Sequence, residues 1–159
     1  MQVKSRHHLR SDAISEIDTA VSNRLGVTLA GDTYERVEFE DSDWEVVLVD
    51  GAPEIAYFDD EPFLTVRGAN AYDPDYRIVT VDAGAVSFVS DGADVMRPGI
   101  TEADAEISEG DLVLIAEESH GKVLAIGRAR ISGTEMVGDE GKVVDSLHHV
   151  GDDLYSFSG

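Results

Sequence analysis

The chain has 159 residues and no cysteine, which excludes a disulfide framework, a thiol nucleophile and cysteine-ligated zinc. Its 33 acidic residues outnumber 12 lysines and arginines, and the formal net charge of −21 argues against a nucleic-acid partner at ordinary salt. The acids are dispersed and lysines are few, which favours a halophilic, acidic protein over one with a basic partner, because at about 1 M salt the Debye length is only about 3 Å.

The N-terminal segment is basic and leads into a predicted helix. The first ten residues contain no acid and hold three of the cations, Lys4, Arg6 and Arg10. Apolar residues then recur at helical spacing from Ile14 to Leu25. Ser11-Asp12 is the expected N-cap of this helix and Gly26 its expected stop.

From Tyr34 onward the apolar residues alternate with a period of two, which is typical of strands. Strands are predicted over 34–40, 45–49, 54–58 and 61–66, and Asp50-Gly51 is a strong hairpin signal. The polar, turn-rich segment 67–76 is predicted to be the boundary between a domain of residues 1–76 and a domain of residues 77–159. The first domain is therefore expected to be one helix packed on a small antiparallel sheet.

The second half is dominated by short strands. A strand is predicted over 78–81, followed by a short helix over 82–90 with Asp82 as its N-cap. Further strands are predicted over 94–96, 112–116, 123–131, 142–144 and 148–157, the last broken by a turn at Gly151-Asp152. One short helix among this many strands indicates a small barrel.

The stretch Val81 to Ile100 is the most informative part of the chain. Gly92 allows positive φ, so that the backbone can approach a ligand closely. Main-chain N–H groups near such a turn can meet a phosphate or a base edge without any side-chain charge. A turn of this kind is also common where no ligand binds.

Three segments in this half resemble the PUA domain, which is named for pseudouridine synthases and archaeosine transglycosylases. Val81 to Ile100 resembles the opening of that domain, and Gly110 to Ile115 resembles its Gly-Asp-x-Val-x-Val strand. Ala125 to Ala129 resembles its apolar-Gly-x-Ala step. The likeness extends over about residues 78 to 157 in the order and spacing of the family.

Segments outside this core narrow the resemblance to the archaeal relatives of the malignant T-cell-amplified-sequence proteins. These segments are Glu45 to Gly51, Glu61 to Thr65, and the final hairpin His148 to Tyr155. The eukaryotic members act in translation, at the small ribosomal subunit near tRNA, together with a partner protein. The family's N-terminal domain carries many lysines, where this chain has acids.

The resemblance implies an α+β fold, in which a small N-terminal helix-plus-antiparallel-sheet domain precedes a C-terminal PUA-type β pseudo-barrel. It implies a non-catalytic protein that binds structured RNA, either tRNA or small-subunit rRNA, and that has a translation-initiation or recycling factor as a possible partner. Two alternatives stay open: an adaptor for a translation factor, and a detached RNA-binding subunit of a tRNA-modification enzyme. No cofactor and no small-molecule substrate is expected.

The expected RNA-binding residues follow the same resemblance and the distribution of cations. In the C-terminal half they are Gly84, Ala85, Gly92, Ala93, Asp94, Arg97, Pro98, Gly99, Arg128, His149 and Tyr155; at the N-terminus they are Lys4, Arg6 and Arg10. Arg128 lies on a strand face that is either turned toward RNA or merely solvated. His148 and His149 are adjacent on a strand and point to opposite faces, which argues against a shared metal.

The chain carries no catalytic signature. It lacks the Gly-x-Ser-x-Gly elbow, the P-loop, the His-Glu-x-x-His motif and the Rossmann glycine pattern, so no enzymatic activity is expected. No segment approaches the roughly 20 apolar residues that span a bilayer, and the N-terminus lacks an apolar signal-peptide core. The protein is therefore predicted to be cytoplasmic, without a membrane partner.

Overall fold

The computed structural model covers residues 1–159 and divides into two compact units. The first unit comprises residues 1–74 together with residues 153–159, and the second comprises residues 75–152. The chain thus completes most of the first unit, forms the second, and returns to the first. The sequence places the boundary at 76/77 and assigns everything after it to the second domain, whereas the contacts place the last seven residues in the first unit.

The first unit is built on a five-stranded antiparallel meander. Its strands lie in chain order: β1 (Val3–His8), β2 (Tyr34–Phe39), β3 (Glu45–Val49), β4 (Ala52–Phe58) and β5 (Glu61–Leu64). The predicted hairpin at Asp50-Gly51 is confirmed, because both residues have positive φ, 49° and 84°, as in a type I′ turn. This turn type matches the twist of the flanking strands, and it fixes the register of β3 against β4.

Helix α1 (Ser11–Leu25) forms as predicted but begins differently. Its buried side chains are Ile17, Val21 and Leu25. Gly26 ends the helix at φ 71°, and its N–H donates to the carbonyl of Ser22. The prediction of a Ser11-Asp12 cap is wrong: Arg10 is the N-cap and makes no side-chain capping bond. Asp12 instead lies in the first turn, where its negative charge interacts favourably with the helix dipole.

The predicted turn-rich linker after residue 66 is largely a helix, α2 (Val66–Tyr72). Thr65 is its N-cap: the buried Oγ1 accepts from the N–H of Gly68 at 3.1 Å and donates to the carbonyl of Pro53 at 2.8 Å. The polar composition of the segment does not reveal this helix. What holds the helix against the sheet is its threonine cap together with the buried side chains of Val66 and Ala69.

The second unit is a strongly curved six-stranded sheet. Its strands are β6 (Ile78–Val81), β7 (Val95–Met96), β8 (Ile100–Ala103), β9 (Leu112–Glu117), β10 (Val123–Ala129) and β11 (Lys142–His149). The spatial order is β7-β11-β10-β9-β6-β8, with only β6 and β9 parallel. Because the two edge strands, β7 and β8, are joined by only Arg97–Gly99, the sheet must curl until its edges approach. The predicted pseudo-barrel is therefore confirmed.

The barrel is filled by small aliphatic side chains. Its buried cluster contains valine, isoleucine and alanine together with Met136, and no aromatic residue. This agrees with the low aromatic content of the chain, 7%. A short helix, α3 (Val86–Ser90), lies against β10 and β11 and buries Val89. It is shorter than the predicted helix, because residues before Val86 form a turn in which Asp82 Oδ1 accepts from the N–H of Ala85 at 3.0 Å.

The predicted final hairpin is wrong. β11 runs without interruption from Lys142 to His149, and the chain then forms a helical turn, α4 (Asp153–Ser156), in place of a returning strand. The carboxylate of Asp152 ends β11 by accepting from the N–H of His149 at 2.9 Å and contacting Nδ1 of the buried His148 at 2.8 Å. None of the helices is long and apolar enough to cross a membrane.

Candidate functional site

The second unit carries an open groove of about 370 Å³ between α3, the turn after it and β7. Six of the residues predicted to bind RNA line it: Gly84, Ala85, Ala93, Asp94, Pro98 and Gly99. The N–H of Asp82 donates to the carbonyl of Gly99 at 2.9 Å, which holds the two walls together. A Cβ atom at Gly99 would lie 2.9 Å from the Cβ of Ala85, so this close approach requires glycine.

Two large apolar side chains beside the groove were not predicted as site residues. Phe88 is 66% exposed and Met96 is 48% exposed, and both contribute to the groove lining. Val89, next to Phe88 in α3, is buried, so the phenyl ring must point away from the core. The available signal was this adjacency, since a five-residue helix cannot bury two consecutive side chains on one narrow face.

Asp94 is held within the protein. Its Oδ1 accepts from the N–H of Ser146 at 2.8 Å, and its Oδ2 lies 3.1 Å from Nζ of Lys142. The Ser146 N–H, followed by Lys142, lowers the pKa of this carboxyl below its ordinary value. Asp94 therefore ties the groove wall to β11, and both of its oxygens already have partners.

Asp94 is expected to contribute to the pH dependence of stability. Because its folded-state pKa is lowered, the carboxylate stabilises the fold above the unfolded pKa of about 3.9, and this stabilisation is lost as the pH falls through the folded value. Thermal unfolding followed by circular dichroism should show that, as the pH falls below about 4, the Tm of Asp94→Asn decreases less than the Tm of the wild type. Asp91→Asn, an exposed site on the same turn, is the control. Parallel pH curves for wild type and Asp94→Asn would contradict this role.

Arg97 is engaged by backbone carbonyls. Its Nε donates to the carbonyl of Glu135 at 3.0 Å and its Nη1 to that of Glu140 at 2.9 Å. Its own N–H donates to the carbonyl of Gly141 at 2.8 Å. These bonds fasten the loop between β10 and β11 with neutral acceptors.

The remaining predicted residues of the second unit also make internal bonds. Arg128 Nη1 donates to the carbonyl of Gly110 at 2.8 Å. Nδ1 of His149 lies 3.0 Å from the carbonyl of Ser90 and 2.9 Å from that of Val150, so Nδ1 carries the proton. Gly92 has φ 93°, and a Cβ there would lie 2.6 Å from Nε2 of His149. Gly92 and His149 are thus packed together, and neither contributes to the groove lining.

Four predicted residues belong to the first unit: Lys4, Arg6, Arg10 and Tyr155. Arg6 forms a two-pronged ion pair with Glu35, with N–O distances of 2.7 and 3.1 Å, and donates to the carbonyl of Gly159 at 3.0 Å. The guanidinium of Arg67 lies over the ring of Tyr155 at 4.5 Å. The structure therefore places these four residues in a different unit from the groove.

The groove suits a flat, uncharged group. Its lining is mostly apolar, its two acidic side chains are Asp82 and Asp94, and no cation contributes to it. Lys142 contacts the groove residue Asp94 and is paired with it. A phosphate would meet carboxylates here, whereas an aromatic ring can stack on Phe88. No group of three or more histidine, aspartate or glutamate side chains stands together where it could hold a metal ion.

Residues 77–151 match the PUA domain family. An uncharacterized protein of Methanocaldococcus jannaschii is 42% identical over 118 residues, which cover 74% of this chain and 73% of that protein. Translation machinery-associated protein 20 of Saccharomyces cerevisiae is 34% identical over 124 residues, covering 72% of this chain and 67% of the yeast protein. The crystal structure of a hypothetical protein from Pyrococcus horikoshii superposes with a TM-score of 0.87 at 33% identity, covering 98% of this chain and 100% of that one.

These similarities extend across both units. The PUA match contains every strand from β6 to β11 and the whole groove. The superposition with the Pyrococcus horikoshii protein takes in nearly all of the first unit as well, so both units have counterparts in that protein. The resemblance predicted from the sequence is confirmed: this chain belongs to the PUA-domain family of the malignant T-cell-amplified-sequence and translation machinery-associated proteins.

Proposed function

We propose that this protein is a non-catalytic RNA-binding protein of the cytoplasmic translation machinery, and that its groove receives an unpaired base of a tRNA or a small-subunit rRNA. The observation that carries the proposal is the exposed ring of Phe88 at the side of an apolar groove in a PUA domain. The name of the yeast relative, translation machinery-associated protein 20, supports the setting.

Stacking explains how so acidic a protein can bind RNA. A base stacked on an aromatic side chain contributes about 1–3 kcal/mol, and this contribution does not depend on charge. Counterion release, in contrast, adds little affinity when the surrounding salt is already molar. A halophilic protein with net charge −21 therefore gains most from short-range contacts such as those offered by Phe88 and the backbone around Gly84 and Gly99.

Phe88→Ala is expected to weaken RNA binding by roughly 5- to 150-fold, the equivalent of about 1–3 kcal/mol for one lost stacked base. Fluorescence anisotropy with labelled tRNA and with small-subunit rRNA fragments, in high potassium chloride, measures this change. Val137→Ala is the matched control, because Val137 is an apolar residue of the same unit with 59% exposure that does not line the groove.

The outcome also separates the alternative functions. Equal affinity of wild type and Phe88→Ala would refute the groove as the binding site. Failure of the wild type to bind any of these RNAs, together with stable binding to a translation factor, would favour the adaptor. Arg97→Glu tests whether RNA also contacts the surface around Arg97. Because Arg97 fastens the loop after β10, circular dichroism must first show that this variant is folded, and only then can a loss of RNA binding be interpreted.

A further inference from the structure

Strand β1 is an open edge of the sheet in the first unit. It pairs on one side with β2, and no other strand of the sheet lies beyond it. Five of its six side chains are exposed, and the sixth, Ser5, is half-buried. The pairing with β2 has a register shift between Val3 and Ser5 and is regular from Ser5 to His8. In an antiparallel pair, successive residues direct their N–H and C=O groups alternately inward and outward, so this regular part of β1 presents backbone groups that the sheet does not pair.

This edge is basic in a chain that is otherwise acidic. Residues 1–10 contain three of the 12 lysines and arginines and none of the 33 acids. Charged side chains on an edge strand commonly serve to prevent aggregation. The charged residues elsewhere in the chain are mostly acids, so a segment of ten residues with cations and no acid offers a surface of charge opposite to that of the rest of the protein.

We propose that β1 is a docking edge for an extended acidic segment of a partner protein, which adds to the sheet as a sixth strand. The backbone of the segment would pair with the outward N–H and C=O groups of β1 at the usual spacing of about 4.8 Å. Its carboxylates would lie beside Lys4 and His8 and near Arg10, within the distance at which cross-strand charge pairs interact. This surface belongs to the first unit and does not depend on the proposed groove.

Two other occupants fit the edge less well. A second copy of β1 would place like charges opposite each other, which is unfavourable. RNA is disfavoured because its backbone cannot match an alternating row of N–H and C=O groups. In addition, the guanidinium of Arg6 already donates two hydrogen bonds to the carboxylate of Glu35, so those two donors are not available to a phosphate. We therefore assign Lys4 and Arg10 to a protein partner, although the sequence suggested RNA.

The test uses the full chain and a short peptide of alternating valine and glutamate. The matched control is a peptide of the same length in which lysine replaces each glutamate. Nuclear magnetic resonance should show that the acidic peptide protects the outward amides of residues 5–8, the regular part of β1, from hydrogen exchange and that the basic peptide does not. At the lowest salt concentration at which the chain stays folded, where exposed charges are least screened, reversing two charges, Lys4→Glu with Arg10→Glu, should weaken binding of the acidic peptide roughly tenfold. Lys122→Glu, an exposed lysine of the second unit, should leave it unchanged.

Several results would overturn the proposal. Equal binding of both peptides would show that charge does not select the occupant. Binding without protection of β1 would place the peptide elsewhere. Protection of β1 by tRNA in the absence of peptide would identify RNA as the ligand, and concentration-dependent dimerisation that protects the same amides would identify a second copy.

Discussion

Truncation of the chain after Asp152 is expected to lower the free energy of unfolding of the first unit by about 4 kcal/mol. The removed segment buries Leu154, whose loss alone falls in the range of about 2–5 kcal/mol for a core leucine. It also removes the edge-to-face contact between Phe157 and Phe39, with ring centroids 4.9 Å apart, and the stacking of Arg67 on Tyr155. The first unit is thus completed by residues that follow the entire second unit in the sequence.

The single tryptophan makes this expectation measurable. Trp44 lies in the first unit, with its ring 5.2 Å from that of Phe58, so urea unfolding followed by its fluorescence reports on that unit. The truncated protein should unfold at a clearly lower midpoint than the full chain. Ser158→Ala, at an exposed position of the same segment, should leave the midpoint unchanged. An unchanged midpoint after truncation would mean that residues 153–159 do not stabilise the first unit.

This return of the chain shows where sequence reasoning reaches its limit. Local patterns predicted most of the strands: the period-two runs became strands, and Asp50-Gly51 became a hairpin turn, whereas β8 and α2 had no predicted counterpart. The segment after His149 has no period of its own, and its final aromatic finds a partner, Phe39, more than a hundred residues earlier. Only tertiary packing decides such a contact, so a hairpin was the natural but incorrect local expectation.

For the candidate site, the sequence indicates the small residues better than it indicates the roles of the polar ones. Gly84 and Gly99, which the motif predicts to bind RNA, both line the groove, and at Gly99 a Cβ atom would lie only 2.9 Å from the Cβ of Ala85. Polar residues were harder to assign, since a sequence does not show whether a guanidinium or carboxylate will be satisfied internally. Arg97 and Asp94 are satisfied by backbone groups and a lysine, while the exposed Phe88 was overlooked as an ordinary helix residue.

Gly68→Ala is expected to destabilise the first unit by about 3 kcal/mol. A Cβ atom at this position would lie 2.1 Å from the carbonyl oxygen of Glu54 in β4, and a backbone atom cannot move aside as a flexible side chain can. The same carbonyl accepts the N–H of Thr65 at 2.9 Å, so displacing it also disturbs the residue that caps α2. Alanine ordinarily favours a helix over glycine by about 1 kcal/mol, and the steric conflict must outweigh that gain.

The sign of the effect is therefore the decisive observation. Urea unfolding followed by Trp44 fluorescence should show a lower midpoint for Gly68→Ala than for the wild type. Circular dichroism should show that the barrel of the second unit is still folded in this variant. Gly84→Ala is the control: its nearest neighbour is a side-chain oxygen of Asp82 at 3.3 Å, and it lies in the other unit, so the Trp44 transition should not move. If Gly68→Ala instead raised the midpoint, helix propensity would dominate, and α2 could not be seated against β4 as closely as this glycine implies.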